Sequence, residues 1–317
     1  MNKKLITLVL SAAVLTSCGG LPEEHTISIL TPTGAPAAAF YNFVNNEEYT
    51  YSTNSTPSNV GAQLQNNEYD AIVFDFYNGL KSIKKNNGDY RLARIITGGN
   101  LYLVGINHTE EPTSTSPGYI VSFGQGLLPD LVYQNIYGSE ITAATHYVTG
   151  VQDCAGVLQN GLHNGEKVDY VLVAQPILFA QLNNSPIKDQ LTVVASLRTK
   201  WEEKTGQKAI PQAGLFVNYS NYTKYKSDFT AFLDELDDSI DTCIEDPTTM
   251  KNGLDAYGDA DAQKAFFGFN SGVAFNVQKN GANGFAFVSS EDADTISISD
   301  FLASLDKETE DYSQFIL

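Results

Sequence analysis

The sequence has few cations, cysteines and tryptophans for its length. Its 317 residues include 19 Lys and Arg against 37 Asp and Glu, three Cys and one Trp, and its formal charge is −18. Such a negative field repels phosphate backbones and anionic lipid headgroups. It therefore argues against nucleic-acid binding and against a folded body that lies flat on a membrane.

Metal-binding and enzymatic motifs are missing as well. The four histidines are scattered along the sequence, and no C-x-x-C or H-E-x-x-H spacing is present. Neither a G-x-S-x-G motif nor a P-loop occurs. We therefore expect no metal site, no cofactor and no catalytic residue. We expect Cys154 and Cys243 to be two buried thiols, although the sequence leaves a disulfide between them open.

The N-terminal region has the pattern of an export signal. Lys3 and Lys4 precede a short apolar run at 5–14, and Leu-Thr-Ser-Cys follows at 15–18. This tetrapeptide resembles the lipobox of bacterial lipoproteins, and the apolar run is too short to span a bilayer comfortably. We expect a signal peptide at 1–17, a lipid on Cys18, a tether at 18–25 and a location on the extracytoplasmic face of the membrane. The alternative is an ordinary secretory peptide that happens to end in cysteine.

Strand-like apolar runs alternate with helix-like segments beyond this region. Strands are predicted at 26–30, 70–74, 92–97, 101–107, 119–123, 168–174, 193–197 and 214–218, and helices at 37–43, 60–66, around Leu80, and at 127–137, 152–161, 226–243 and 298–305. The strand at 70–74 does not alternate, which is typical of a sheet covered on both faces. The pattern predicts an α/β protein with doubly wound lobes. The length suits two of them.

Four segments in this order resemble the type 2 periplasmic-binding-protein superfamily, in particular its nitrate, sulfonate, taurine and thiamine-precursor branch. They are Thr-Pro-Thr-Gly-Ala-Pro at 31–36, Asp-Ala-Ile-Val at 70–73, the Asp-bearing strand and Gln-Pro at 165–176, and the segment at 197–217. Two residues depart from the pattern of this branch, and both departures bear on which ligand the protein would bind. Gln175 stands where glutamate is common, and Asp75 where proline is frequent.

The resemblance implies the solute-binding subunit of an ABC importer, a monomer that delivers a small solute to a permease. It divides the chain into lobe 1, at 26–105 and 214–317, and lobe 2, at 106–213. Two hinge crossings are expected near 101–106 and 215–218, with the ligand cleft between the lobes. Trp201, the only tryptophan, is expected to pack beside the hinge rather than to contact the solute.

Loops that follow strands are the candidate binding site, because ligands of open α/β sheets bind beyond the carboxyl ends of the strands. The candidate ligand-binding residues are Thr33, Gly34, Ala35, Asp75, Phe76, Tyr77, Asn100, Gly124, Gln125, Gly126, Leu127 and Gln175. No Lys or Arg stands in the three main loops. The glycines of these turns are equally explained by turn geometry alone.

Asp75 suggests the charge of the ligand. A carboxylate in the cleft would attract a neutral or cationic solute and oppose nitrate or sulfonate, and the rings of Phe76, Tyr77 and Tyr41 could stack on a flat heterocycle such as a vitamin precursor. The alternative is that Asp75 caps the following helix.

Two other functions remain open from the sequence. An enzyme of similar fold, as in the menaquinone pathway or pyrimidine synthesis, would more often be cytosolic and so fits the N-terminal signal poorly. A surface sensor subunit is the other alternative, since a fold does not settle function.

Overall fold

The computed structural model describes residues 25–281, 284–307 and 310–317. The predicted signal peptide, the lipid site at Cys18 and the tether up to residue 24 lie outside these residues. Twelve strands are found in the described part of the chain: β1 (Ile27–Pro32), β2 (Tyr49–Asn54), β3 (Ala71–Asp75), β4 (Tyr90–Thr97), β5 (Leu101–Ile106), β6 (Ile120–Phe123), β7 (Thr145–Val148), β8 (Leu162–His163), β9 (Glu166–Lys167), β10 (Tyr170–Ala174), β11 (Leu191–Ser196) and β12 (Ala213–Asn218).

The helices of the same residues lie between strands up to β12, except that β4–β6 and β8–β10 follow one another directly, and after β12 the helices are consecutive. They are α1 (Ala35–Ala38), α2 (Pro57–Gln63), α3 (Phe76–Asn86), α4 (Leu128–Thr142), α5 (Val151–Asn160), α6 (Ile177–Asn184), α7 (Leu197–Thr205), α8 (Tyr219–Lys224), α9 (Lys226–Glu245), α10 (Pro247–Tyr257), α11 (Ala260–Phe267), α12 (Ser271–Gln278), α13 (Ser290–Ala293) and α14 (Ile298–Ser304).

The strands form two five-stranded mixed sheets. The first has the order β2-β1-β3-β12-β4 and the second the order β11-β5-β10-β6-β7, while β8 and β9 form a separate hairpin. In the first sheet β1 runs parallel to β2 and β3, and β12 runs antiparallel to β3 and β4. The predicted α/β fold with two doubly wound units is confirmed.

The first sheet is buried on both faces. Ile72 of β3 and Phe216 of β12 pack into one hydrophobic cluster, whereas their neighbours Val73 and Leu215 pack into another on the opposite side. Successive side chains of a strand point to opposite faces, so a doubly covered strand has no polar positions. This explains why the sequence of β3 runs apolar without alternation.

The chain crosses between the sheets twice. Residues 98–100 lead from β4 into β5, which pairs with β10 and β11 in the second sheet. Residues 197–212, which include α7, lead back from β11 to β12 in the first sheet. The segments 101–106 and 215–218 are therefore strands within the sheets. The division of the chain into lobes at 105 and 214 stays a prediction.

Several elements differ from the sequence-based expectation. The strands β2, β7, β8 and β9 and the helices α6, α7, α8, α10, α11, α12 and α13 lie outside the predicted segments. β2 and β7 were not predicted, because their polar residues hide the strand pattern at the sheet edges. The predicted helix at 37–43 is a single turn, α1, followed by hydrogen-bonded turns. Within the described ranges no helix is both long and apolar enough to cross a bilayer.

Candidate functional site

A cavity of about 150 Å³ lies where strand ends of the two sheets face each other. The first sheet and its connections contribute Pro32, Pro36, Pro57, Phe74, Asp75, Gln212 and Ala213, and the second contributes Phe123, Gly124, Leu127, Pro129, Thr149, Gly150 and Val151. β1, β3, β6 and β7 all point their carboxyl ends towards it. This is the position at which open α/β sheets bind ligands.

A larger hollow of about 400 Å³ lies elsewhere, beside the edge strand β4. Its rim holds Arg94 and Asp237, whose side chains form a two-pronged ion pair at 2.9–3.1 Å. The charges of this pair satisfy each other, and no strand end opens into the hollow. The cavity between the sheets is therefore the better candidate site.

Asp75 joins the two sides of the cavity. Its Oδ1 accepts a hydrogen bond of 2.9 Å from the backbone N–H of Asn78, and its Oδ2 accepts one of 2.8 Å from that of Leu128. The first bond caps α3, as the capping alternative expects, and the second reaches the first residue of α4 on the other side. Burial raises the pKa of Asp75, while the two amides act in the opposite direction.

The turn at 124–127 forms the wall opposite Asp75. Gly124 and Gly126 have φ angles of 67° and 75°, which only glycine adopts freely. The N–H of Gly126 donates to the buried carboxylate of Asp130 at 2.8 Å, and the Tyr147 hydroxyl donates to the same group at 2.7 Å. Asp130 thus fixes the turn from behind. Sequence reasoning missed it, because the contact to Tyr147 of β7 is formed only in the fold.

The turn after β1 faces α5 across the cleft. The N–H of Gly34, whose φ is 103°, donates to the carbonyl of Phe267 at 2.8 Å, and that of Thr33 donates to the carbonyl of Asn54 at 3.1 Å. These amides are used within the protein, so they are not free to bind an anion. Pro32 and Pro36 on either side of the turn line the cavity.

Three amide side chains meet beside the crossings between the sheets. Asn100 Nδ2 lies 3.4 Å from the carbonyl oxygen of Gln175, and the Asn100 N–H lies 3.4 Å from Oε1 of Gln212. Gln175 Oε1 accepts from the N–H of Phe179 at 3.1 Å. The Asn100 side chain is 2% exposed, and its Oδ1 has no partner among the described residues. An unsatisfied buried acceptor of this kind fits a ligand or water that donates a hydrogen bond.

The structure brings some predicted site residues together and separates others. Asp75, Gly124 and Leu127 line the cavity, and Thr33, Gly34 and Ala35 lie between two prolines that do. Gln125 and Gly126 are exposed, and Asn100 and Gln175 lie beside the crossing. The ligand-binding role of all of these residues stays a prediction.

Three predicted aromatic residues point elsewhere. Phe76 is fully buried against Phe301, and the Tyr77 hydroxyl donates to Glu310 at 3.0 Å. Tyr41 is also buried, and its hydroxyl donates to the carbonyl of Ser239 at 3.3 Å. The aromatic rings that do line the cavity are those of Phe74 and Phe123. Both residues stand at the end of a predicted strand, and that position is the sequence signal that could have identified them as cavity residues.

The lining of the cavity carries little charge. The described cavity lining contains no Lys, Arg or His, and Asp75 is its only acid. No three His, Cys, Asp or Glu side chains of the described ranges gather closely enough to hold a metal ion. The arrangement can enclose a small solute and offers it apolar walls and hydrogen-bond acceptors.

Comparison with solved structures places the fold. An ABC transporter protein from Parabacteroides distasonis has a TM-score of 0.64 at 17% identity, with 92% of this chain and 98% of that chain covered. The ligand-binding component of an ABC-type import system from Staphylococcus aureus, solved with zinc bound, gives 0.64 at 11%, covering 92% and 96%. The alkanesulfonate-binding protein SsuA from Xanthomonas axonopodis pv. citri bound to MOPS gives 0.60 at 9%, covering 91% and 96%.

No family model and no curated protein sequence matches the chain. The structural likeness extends over nearly the whole length of both partners in each of these pairs. The chain therefore has the periplasmic-binding-protein fold, and the neighbours named above include the ligand-binding component of an ABC-type import system and an alkanesulfonate-binding protein.

Proposed function

We propose that this protein is the solute-binding subunit of an ABC importer, which captures a small organic solute and delivers it to a permease. The observation that carries the proposal is the cavity between facing strand ends of the two sheets. Its walls come from both sides, so a bound solute would stabilise the arrangement in which the two sides approach each other. The fold neighbours supply the link to import.

The proposed solute is neutral or cationic and carries a ring, as a heterocyclic vitamin precursor does. Phe74 and Phe123 offer apolar surface, and the described lining has no cation to hold a sulfonate or nitrate. Asp75 lines the cavity, and each of its carboxylate oxygens can accept a further hydrogen bond besides the one it receives from a backbone amide. These acceptors favour a solute that donates hydrogen bonds.

We also propose that a lipid on Cys18 anchors the protein at the extracytoplasmic face of the membrane. His25, the last residue of the proposed tether, is held by the folded body: its ring stacks on that of Tyr225 at 4.1 Å, and its Nε2 lies 2.9 Å from Oδ1 of Asp70. Its N–H donates to Asp228 at 3.2 Å. These contacts fix the point at which the tether joins the body. Two acyl chains would suffice for stable anchoring.

Native mass spectrometry of the purified protein tests the binding function. We expect a fraction of the protein to carry a co-purified small molecule, which gentle unfolding and refolding removes. Adding the molecule back should raise the melting temperature in proportion to the logarithm of its concentration. A preparation that never carries a small molecule, and is stabilised by none of a panel of vitamins, amines and sulfonates, would contradict the proposal.

The anchor is tested separately in cells. The wild-type protein should incorporate labelled fatty acid and sediment with membranes, whereas Cys18→Ser should do neither. A wild-type protein recovered without lipid would contradict the anchor but not solute binding.

A further inference from the structure

The carboxylate of Asp75 is shared between two helix N-termini on opposite sides of the cavity. The N–H of Asn78 in α3 is 2.9 Å from Oδ1, and the N–H of Leu128 at the start of α4 is 2.8 Å from Oδ2. α3 has 11 residues, and α4 is regular from 128 to 137, before its break at Gly138, so each helix presents a partial positive charge to this carboxylate. Each oxygen of the carboxylate therefore has an amide partner already.

This contact distinguishes α4 from an open anion site. The N-terminus of a helix binds sulfate, phosphate or carboxylate groups through its free amides and its dipole. At α4 the protein supplies that anion itself, from the opposite side of the cleft. The neighbouring amides are also engaged, since the N–H of Gly126 donates to Asp130 and that of Leu127 to the Gly124 carbonyl, both at 2.8 Å.

The rest of the cavity offers little to a charged solute. Nine of its lining residues are Pro, Phe, Leu, Val or Ala, and no cation is among the described lining. A charge moved from water into such surroundings needs a partner, or the transfer is costly. An anion would also meet the negative charge of Asp75. A cation would compete with two helix N-termini for the same carboxylate.

We propose that Asp75 is a built-in counter-charge, which occupies the place of an anionic headgroup at α4 and makes the cavity specific for an uncharged, mainly apolar solute. The proposal rests on the solute-binding function and narrows it. The volume of about 150 Å³ suits a solute built around one six-membered ring.

Inorganic sulfate tests the role of Asp75 without knowledge of the natural solute. The experiment compares the wild-type protein with Asp75→Ala, with the near-isosteric Asp75→Asn, and with Asp259→Asn. Asp259 is the matched control because its carboxylate also caps a helix, α11, but does not line the cavity. Calorimetry and crystals grown in ammonium sulfate report binding, and chloride at equal ionic strength corrects for general salt effects.

We expect Asp75→Ala to bind sulfate about tenfold or more tightly than the wild-type protein, with density for the ion beside the Leu128 amide. Asp75→Asn should gain less sulfate affinity, since its amide oxygen can still accept one of the two hydrogen bonds. This variant replaces Asp75→Ala in the comparison if the alanine variant folds poorly. Asp259→Asn should bind sulfate as the wild type does. Sulfate at the Leu128 amide of the wild-type protein, or none there in either folded Asp75 variant, would overturn the proposal.

The solute class is tested with one ring and three headgroups: benzyl alcohol, benzylammonium and benzenesulfonate. The wild-type protein should be stabilised most by benzyl alcohol, and Asp75→Ala should gain a response to benzenesulfonate. A wild-type preference for either charged probe would overturn the proposal and leave solute binding intact. The solute-binding function itself is contradicted by a different result, namely that no small molecule co-purifies and that no member of the wider panel stabilises the protein.

Discussion

The ring of Trp201 packs on the ring of Phe301, with centroids 5.0 Å apart and planes inclined by 44°. Trp201 belongs to α7, on the return path from the second sheet, and Phe301 to α14 near the C-terminus. The ring of Phe301 also packs on the ring of Phe76, with centroids 5.5 Å apart. Phe76 belongs to α3, the helix that follows β3 of the first sheet. α14 therefore contacts both α7 and α3, and Trp201 packs against it within the crossing at 197–212. That Trp201 does not contact the solute stays a prediction.

Truncating this aromatic contact should destabilise the protein. Trp201 is fully buried, so Trp201→Ala is expected to lower the free energy of unfolding by roughly 3–5 kcal/mol. Phe301→Ala should have a similar effect, and the double variant should lose less than the sum because the pair contributes about 0.5–1.5 kcal/mol. Urea unfolding followed by circular dichroism measures all three. Strict additivity would show that the rings do not interact.

Two helical glycines should respond oppositely to alanine. A Cβ on Gly79 in α3 would lie 2.3 Å from the Phe216 ring, so Gly79→Ala should destabilise the fold by about 1–3 kcal/mol. Gly156 in α5 has no atom within 4 Å of such a Cβ. Gly156→Ala should stabilise the fold by about 0.5–1 kcal/mol, since alanine loses less backbone freedom. Equal effects at both positions would contradict the packing described for α3.

Asp70 should make stability depend on acidic pH. Burial raises its pKa, but hydrogen bonds from Ser28, His25 and Asn221 outweigh this and hold the pKa below the usual 3.8. A depressed folded-state pKa contributes stability that is present above the unfolded value and is lost as pH falls through the folded value.

Asp70→Asn should therefore cost about 1–3 kcal/mol at neutral pH, and the difference from wild type should shrink as pH falls below about 3.8. Urea unfolding between neutral and strongly acidic pH measures it. Asp261→Asn, whose carboxylate is 95% exposed, is the control and should change stability by about 0.5 kcal/mol or less. A pH-independent difference at Asp70 would refute the assignment.

The two thiols of the body should be unreactive in the native state. Cys154 and Cys243 are buried and unpaired, which confirms the default expectation of two free thiols. Burial raises the pKa of each to about 12, so little thiolate is present at neutral pH. Iodoacetamide should label neither residue in the native protein and both in guanidinium, as read by peptide mass spectrometry. A disulfide-linked peptide from native protein would contradict this.

The site residues that come just after predicted strands could be identified from the sequence. Asp75, Gly124 and Leu127 stand directly after strands that the apolar runs predict, and strand ends converge in such folds. Pro57, Thr149 and Gln212 line the same cavity but were missed. Thr149 follows β7, an edge strand too polar to be recognised, and Gln212 comes from a crossing whose path depends on both sheets.

The direction of side chains was not predictable from position alone. Phe76 and Tyr77 follow the same strand as Asp75, yet they turn into the core beneath α14 and the C-terminal segment. The reason is that Asp75 caps α3, and the first turn of that helix carries the two rings to its buried face.

The sequence by itself determined the alternation of strands and helices and the acidic character of the molecule. These properties follow from residue type and spacing, which act over a few neighbours in the chain. Only the tertiary structure decided that Asp75 bonds across the cleft to Leu128, 53 positions later, and that the cavity is almost uncharged. Contacts of that separation depend on how two complete sheets are placed against each other, and no local pattern specifies this.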